Sequence, residues 1–132
     1  MIYMLDTNVI VRILRKPGQP IQKKVTENLG HVCISSVTYA ELIYGVYKSA
    51  DAAANMNAVL TTLSVIPILD FDRCAAEHFG EIFADLEKNG RRIGERDMMI
   101  AGHARSRDFI LVTNNVREFS RVKGLKVEDW EK

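Results

Sequence analysis

Ile2-Tyr3-Met4-Leu5-Asp6-Thr7-Asn8 is the stretch on which the fold turns. Four apolar residues in unbroken succession are the pattern of a short strand buried on both faces, as in a parallel sheet with helices on either side. The run stops abruptly at Asp6, so this carboxylate stands at the carboxyl end of the strand, ahead of the small polar pair Thr7 and Asn8. In sheets of this kind, ligand crevices form beyond the carboxyl ends of the strands. Any chemistry in the chain is therefore to be sought among acids placed as Asp6 is placed.

Outward from that strand, apolar runs alternate with helical periodicities. Helices are expected at Asn8 to Arg15 and Ile21 to Leu29, separated by the breaker cluster Pro17-Gly18-Gln19-Pro20. Val32 to Ile34 reads as a second strand. Ser36 is the expected N-cap of a helix over Val37 to Lys48, and Asp51 that of an alanine-rich helix from Ala52 to Leu63. Val65 to Leu69 returns to strand, with Pro67 placing it at an edge. Asp72 caps a long helix through Lys88, along which Ala75, Phe79, Ile82, Phe83 and Leu86 recur at spacings of three and four. Asn89-Gly90 stops it. After the polar loop Arg91 to Arg96 come a helix over Asp97 to Arg107, a strand over Phe109 to Val112 and a last short strand at Leu125 to Val127. This alternation predicts an α/β fold, a three-layer α/β/α sandwich around a mostly parallel sheet.

The bulk properties narrow the function class. At 132 residues and 47% hydrophobic, the chain suits one domain, residues 1-132, with a core that folds without staples. Eighteen Lys and Arg against 17 Asp and Glu leave a net charge of +1, so a nucleic-acid footprint has to be local. Cys33 and Cys74 form neither a disulfide framework nor a zinc pattern, which points to a reducing cytoplasmic home. The first apolar run meets Asp6 too early for a signal peptide, and no run approaches the roughly 18 apolar residues of a membrane span.

Four residues gather at the carboxyl rim of such a sheet. Asp6 follows the first strand; as a lone acid it reads equally well as a helix N-cap. Glu41 has apolar Val37, Ala40, Leu42, Ile43 and Val46 around it, although an exposed position beside Tyr44 and Lys48 is open. Asp97 opens its helix, and Asn115 follows the fourth strand in Thr113-Asn114-Asn115, where a turn would also explain it. Together they are more specific than apart. Clustered carboxylates raise one another's pKa and resist desolvation unless a cation neutralises them. An all-oxygen set without His or Cys favours Mg²⁺ or Mn²⁺, which activates water and neutralises charge on a phosphodiester.

Four segments carry a family resemblance. Met4-Leu5-Asp6-Thr7-Asn8, Ser35 to Gly45, Ile93 to Ala104 and Leu111 to Phe119 resemble, in order and spacing, the motif series of PIN-domain toxins of the VapC family. The ending Leu125 to Trp130 is similar to that of enterobacterial VapC proteins, so the likeness spans essentially the whole chain. It implies a PIN-domain fold and a toxin of a type II toxin-antitoxin system, with Mg²⁺- or Mn²⁺-dependent endoribonuclease activity. It also implies that Asp6, Glu41 and Asp97 hold the metal, with Asn115 at the variable fourth position. Initiator tRNA, cut in the anticodon stem-loop, is the implied substrate. A VapB-type antitoxin is the implied partner, binding a homodimer to give a larger complex. Asn115 departs from the aspartate common in PIN domains, which lowers the site's charge; Glu118, three residues on, can compensate if a short helical turn aims it at the same crevice. The rival readings are a DNA nuclease of the same fold, a non-catalytic RNA-binding module and a phospho-receiver domain, the last lacking its middle-strand aspartate and late lysine.

Arg12, Arg15, Lys16, Arg91, Arg92 and Arg96 adjoin the expected crevice, where they can hold RNA phosphates. His31, His78 and His103 are isolated from one another and are expected to pack or to lie at the surface. Tyr39, Tyr44 and Tyr47 suit either base stacking or helix packing.

Overall fold

The computed structural model describes residues 2–131. Its five strands are β1 (Tyr3–Leu5), β2 (Val32–Ser35), β3 (Ile68–Leu69), β4 (Ile110–Val112) and β5 (Lys126–Glu128). They form one sheet in the order β3-β2-β1-β4-β5, and every neighbouring pair is parallel. The helices are α1 (Thr7–Arg15), α2 (Pro20–Glu27), α3 (Ser36–Lys48), α4 (Ala52–Leu63), α5 (Arg73–Lys88), α6 (Glu95–Ser106) and α7 (Val116–Phe119).

The unbroken apolar strands do what their composition dictates, feeding alternate side chains into two cores. Leu5, Val32, Ile34 and Val112 pack with Val9, Ile10 and Ile13 of α1, Ile21 and Val25 of α2, and Val59 and Leu63 of α4. Met4, Cys33 and Leu111 point the other way, onto Ile82 and Leu86 of α5 and Met98, Ile100, Ala101 and Ala104 of α6. The result is the expected three-layer sandwich, with the sheet wholly parallel. Trp130 closes one edge, its ring 4.9 Å from that of Tyr3.

Chain order makes β1 the pivot of the sheet. From β1 the chain moves outward through β2 to β3, and later returns to build β4 and β5 on the opposite side. At such a reversal the crossovers leave in opposite directions and open a crevice at the strands' carboxyl ends. Asp6 and Thr113 occupy that point, immediately after β1 and β4.

Several boundaries differ from the sequence reading. Ser35, not Ser36, caps α3: its hydroxyl accepts from Val37 N–H, while Ser36 begins the helix and its hydroxyl accepts from Phe71 N–H at 2.9 Å. Pro20 is the first residue of α2 rather than a separator, since proline lacks the N–H that a first turn leaves unpaired. The edge strand shrinks to Ile68–Leu69, with Pro67 just outside it. Gly94 precedes α6, so the helix starts at Glu95 and Asp97 lies inside its first turn instead of opening it. The last strand begins at Lys126, one residue later than read.

Candidate active site

Asp6 is built into the crevice from both sides. Its Oδ1 accepts from Thr7 N–H at 2.8 Å, which caps α1, and its Oδ2 accepts from the Thr113 hydroxyl at 2.8 Å. The capping reading and the crevice reading of Asp6 are thus both met by one side chain. It is only 2% exposed. Burial raises its pKa, the bonds from Thr113 and Thr7 lower it, and the nearby Glu41 raises it again, with a net upward shift.

Glu41 reaches the same crevice from α3. The Thr7 hydroxyl donates to Glu41 Oε1 at 2.7 Å, and the same hydroxyl is hydrogen-bonded to Thr38 at 3.1 Å. On the outer side, Arg96 Nε donates to Glu41 Oε2 at 3.1 Å. Glu41 is therefore half-buried at the rim rather than solvated on an exposed face.

Asp97 comes from the first turn of α6. Burial pushes its pKa up to about 6, and the negative charges of Asp6, Glu41 and Glu118 add to that shift against a smaller opposing effect of Arg96. Asp97 lines one cleft with Glu41, Gly94, Glu95 and Arg96.

The structure thus brings Asp6, Glu41 and Asp97 to one crevice, with Glu118 near enough for its charge to act on Asp97. Glu118 arrives because Val116–Phe119 forms α7, the short turn on which its placement depended. Asn115 caps α7 without a side-chain hydrogen bond; its backbone N–H donates to Thr113 Oγ1 at 3.0 Å. Thr113 is the residue the sequence reading missed. It links Asn115 to Asp6, and its signal was available in its place directly after β4, where Asp6 stands after β1.

The basic candidates divide. Arg96 lines the cleft over Glu41, Gly94, Glu95 and Asp97. Arg15 shares a second groove with Glu41, and also joins Arg12, Lys16 and Gln19 around a hollow of about 270 Å³. Arg12 is held by Glu131 at 2.8 Å. Arg92 lies elsewhere, its guanidinium 4.7 Å from the Phe83 ring and 3.9 Å from Glu87. The carbonyls of Arg91 and Arg92 accept from Arg121. Beside the acids lies a cleft of about 650 Å³ between Thr7, Val37, Ala40, Tyr44, Arg96 and Met99. Tyr44 is 66% exposed there, whereas Tyr39 packs against the core. His31 is exposed, His78 accepts from Arg105 Nε, and His103 is buried.

The donor set suits a hard cation: oxygen ligands only, like charges in a buried crevice, and one exposed arginine as counter-charge. Among the described residues, however, no three His, Cys, Asp or Glu side chains are already gathered in a metal-holding group. Thr7, Thr113 and Arg96 hold oxygens of Asp6 and Glu41, so a cation taking those oxygens would displace the present contacts. The fit lies in chemistry and position rather than in a finished cage.

The chain has relatives among known proteins. The family profile described as PIN domain matches residues 3–125. The chain is 48% identical to a tRNA(fMet)-specific endonuclease VapC of Shigella flexneri over 128 residues, covering 97% of each. It is 45% identical to ribonuclease VapC2 of Haemophilus influenzae at the same coverage. Among solved structures, it superposes on the DNA-bound VapBC of Salmonella typhimurium with a TM-score of 0.95 at 42% identity, covering 98% of both chains. With a parallel sheet whose reversal point gathers acids from β1, α3 and α6, a profile match over nearly the full length and relatives this similar end to end, the chain belongs to the PIN domain family, among the VapC ribonucleases.

Proposed function

We propose that this protein is the toxin of a toxin-antitoxin pair and hydrolyses RNA phosphodiester bonds with a divalent cation, Mg²⁺ or Mn²⁺, held by Asp6, Glu41 and Asp97. The observation that carries the reading is the convergence of three acids on one crevice: Asp6, held by Thr7 and Thr113, is linked through Thr7 to Glu41, which lines one cleft with Asp97. Four neighbouring acids are costly to keep ionised, and a polyanionic substrate would worsen that cost unless a cation accompanied it. When bound, the cation supplies Lewis acidity, making water a better nucleophile and neutralising charge that gathers on the phosphate. The protein's own groups supply the rest. Thr113 and the Thr7 N–H fix the rotamer of Asp6, and the Thr7 hydroxyl fixes that of Glu41. Arg96, freed from Glu41, is placed to pair with a phosphate at the mouth. Arg15 and Lys16 extend the positive charge along one side for flanking phosphates, and Arg91 and Arg92 provide a more distant contact. Asn115 and Glu118 complete the acid side, with Glu118 the residue whose charge reaches Asp97.

The favoured substrate is an initiator tRNA, by analogy with the Shigella flexneri relative named as a tRNA(fMet)-specific endonuclease, and the anticodon stem-loop is the expected place of the cut. A VapB-type antitoxin is the expected partner, as in the VapBC structure of Salmonella typhimurium, and the toxin itself is expected to be a homodimer. No helix of the described residues is long and apolar enough to cross a membrane.

The test is digestion of total tRNA, messenger RNA and single- and double-stranded DNA by the purified chain in Mg²⁺ or Mn²⁺, with the new 5′ ends mapped. Wild type should cut one tRNA species at a defined loop position. Asp6→Asn should keep the fold and lose at least about a hundredfold in rate, the scale of a removed metal or electrostatic group. Full activity of Asp6→Asn, or equal cutting of DNA, would reject the assignment.

A further inference from the structure

Outside the acid crevice, one buried polar contact is left unused by the proposed chemistry. Ser35 and His103 are both 0% exposed, and Ser35 Oγ lies 2.8 Å from His103 Nδ1. Ser35 Oγ already accepts the capping bond from Val37 N–H at 3.1 Å, so its own proton is free to be donated to Nδ1. With the hydroxyl donating, neutral His103 carries its proton on Nε2; with the hydroxyl's second lone pair accepting instead, the proton is on Nδ1, and the tie holds in either neutral tautomer. Burial and the nearby Arg107 favour that neutral form, against weaker opposing effects of Asp72 and Asp70. Nε2 finds no partner among the described residues, and the ring stands edge-on to Phe71 at 5.7 Å. Packing alone would be served better by a phenyl ring, which leaves no buried nitrogen unpaired.

The location of the contact suggests what it does. Ser35 caps α3, which carries Glu41 six residues later; His103 lies on α6, six residues after Asp97. The two helices meet again at the mouth of the crevice, where Arg96 Nε donates to Glu41 Oε2. They are thus tied twice, about two turns apart on each helix, once by a buried neutral bond and once by an ion pair whose arginine is 71% exposed. A cation taking Glu41 Oε2 must dissolve the second tie. On the side of α6 facing α5, Gly102 permits contact so close that a Cβ would stand 2.7 Å from Phe79 N, so α6 has little freedom to settle elsewhere.

We propose that the Ser35–His103 hydrogen bond is a positioning contact for the cation site, holding α3 in register with α6 so that Glu41 and Asp97 stay within reach of one divalent ion once Arg96 releases Glu41. The proposal rests on the cation reading given above. It makes His103 a positioning residue, touching neither substrate nor ion.

The test is Mn²⁺ binding to the purified chain by calorimetry at neutral pH, alongside RNA cleavage and thermal melting of the metal-free chain. His103→Phe keeps an aromatic ring and removes the hydrogen-bonding nitrogen. It should weaken Mn²⁺ binding roughly tenfold or more, as removal of a group supporting metal ligands commonly does. The Mn²⁺ needed for half-maximal cleavage should rise in parallel, with KM for RNA at saturating Mn²⁺ unchanged and the melting midpoint not lowered. His103→Asn, whose amide can occupy the place of Nδ1, should recover most of the affinity. If His103→Phe fails to fold, Ser35→Ala against Ser35→Thr asks the same question from the other partner. Wild-type Mn²⁺ affinity in a folded variant lacking the bond overturns the proposal, and so does loss of fold in both His103→Phe and Ser35→Ala, which makes the contact purely structural. Absence of Mn²⁺ binding by the wild-type chain would be a different failure, that of the cation reading itself.

Discussion

Asp97 shows at the scale of one residue how a site's chemistry is written into stability. Burial and the charges of Asp6, Glu41 and Glu118 push its pKa up to about 6 from 3.8, so the folded chain holds a proton that the unfolded chain has already lost. The stabilisation from that proton is complete below the unfolded value and disappears as pH rises through 6. In the metal-free protein at neutral pH, Asp97→Asn should therefore stabilise, by about 1 kcal/mol once solvent screening is allowed for. Urea denaturation should show the gain at neutral pH and its loss in acid. A destabilised Asp97→Asn at neutral pH would mean that the carboxylates are not repelling one another. His103 carries a shift in the opposite sense: because folding lowers its pKa, its neutral burial costs nothing above the ordinary histidine range and destabilises as pH falls below that range.

The pairing of α5 with α6 decides whether Asp97 reaches the crevice. Gly102 has no room for a side chain, because a Cβ would lie 2.7 Å from Phe79 N, 3.0 Å from Phe79 Cα and 3.2 Å from Ala75 O. All three atoms are backbone, so neither helix can yield by turning a side chain. Gly102→Ala gains helix propensity but must push α6 away from α5, with an expected net loss of roughly 1–3 kcal/mol. Chemical denaturation measures the loss, and cleavage should fall as well, since the displaced helix carries Asp97 and Arg96. An alanine variant with unchanged stability would show that the interface is looser than the backbone contacts indicate. The short α7 matters in the same way: without that turn Glu118 would be a surface acid, and with it Glu118 adds to the charge around Asp97.

The whole molecule arranges these pieces by its strand order. Reversal at β1 puts residues from both ends of the chain side by side, so that Asp6 accepts from Thr113, 107 positions away. A cation bound there would tie both halves of the sheet and the two outer layers together. Mn²⁺ at about a hundred times its dissociation constant should then stabilise the fold by roughly 2.7 kcal/mol, or about 10 °C in melting midpoint for a domain of this size. Asp97→Asn should lose most of that shift. Equal shifts in wild type and variant would place the cation elsewhere.

Much of this was legible before folding was considered. Continuous apolar runs marked buried parallel strands, Pro67 marked an edge, and Asp6 stood at a strand's carboxyl end, because each depends on neighbours within a turn or a pleat. The likeness to PIN-domain toxins singled out Asp6, Glu41, Asp97 and Asn115 by order and spacing. The sequence did not separate Arg96, which covers Glu41, from Arg92, which rests on Phe83, although only three residues divide them. Nor did it mark Thr113 as a partner of Asp6, or His103 as one of Ser35. Local structure follows from the short-range pattern of apolar and polar side chains, which a sequence displays directly. Charge interactions and the use of a buried proton depend on separations of a few ångströms between segments distant in the chain, and those separations exist only once the sheet has chosen its strand order and the helices have packed against it.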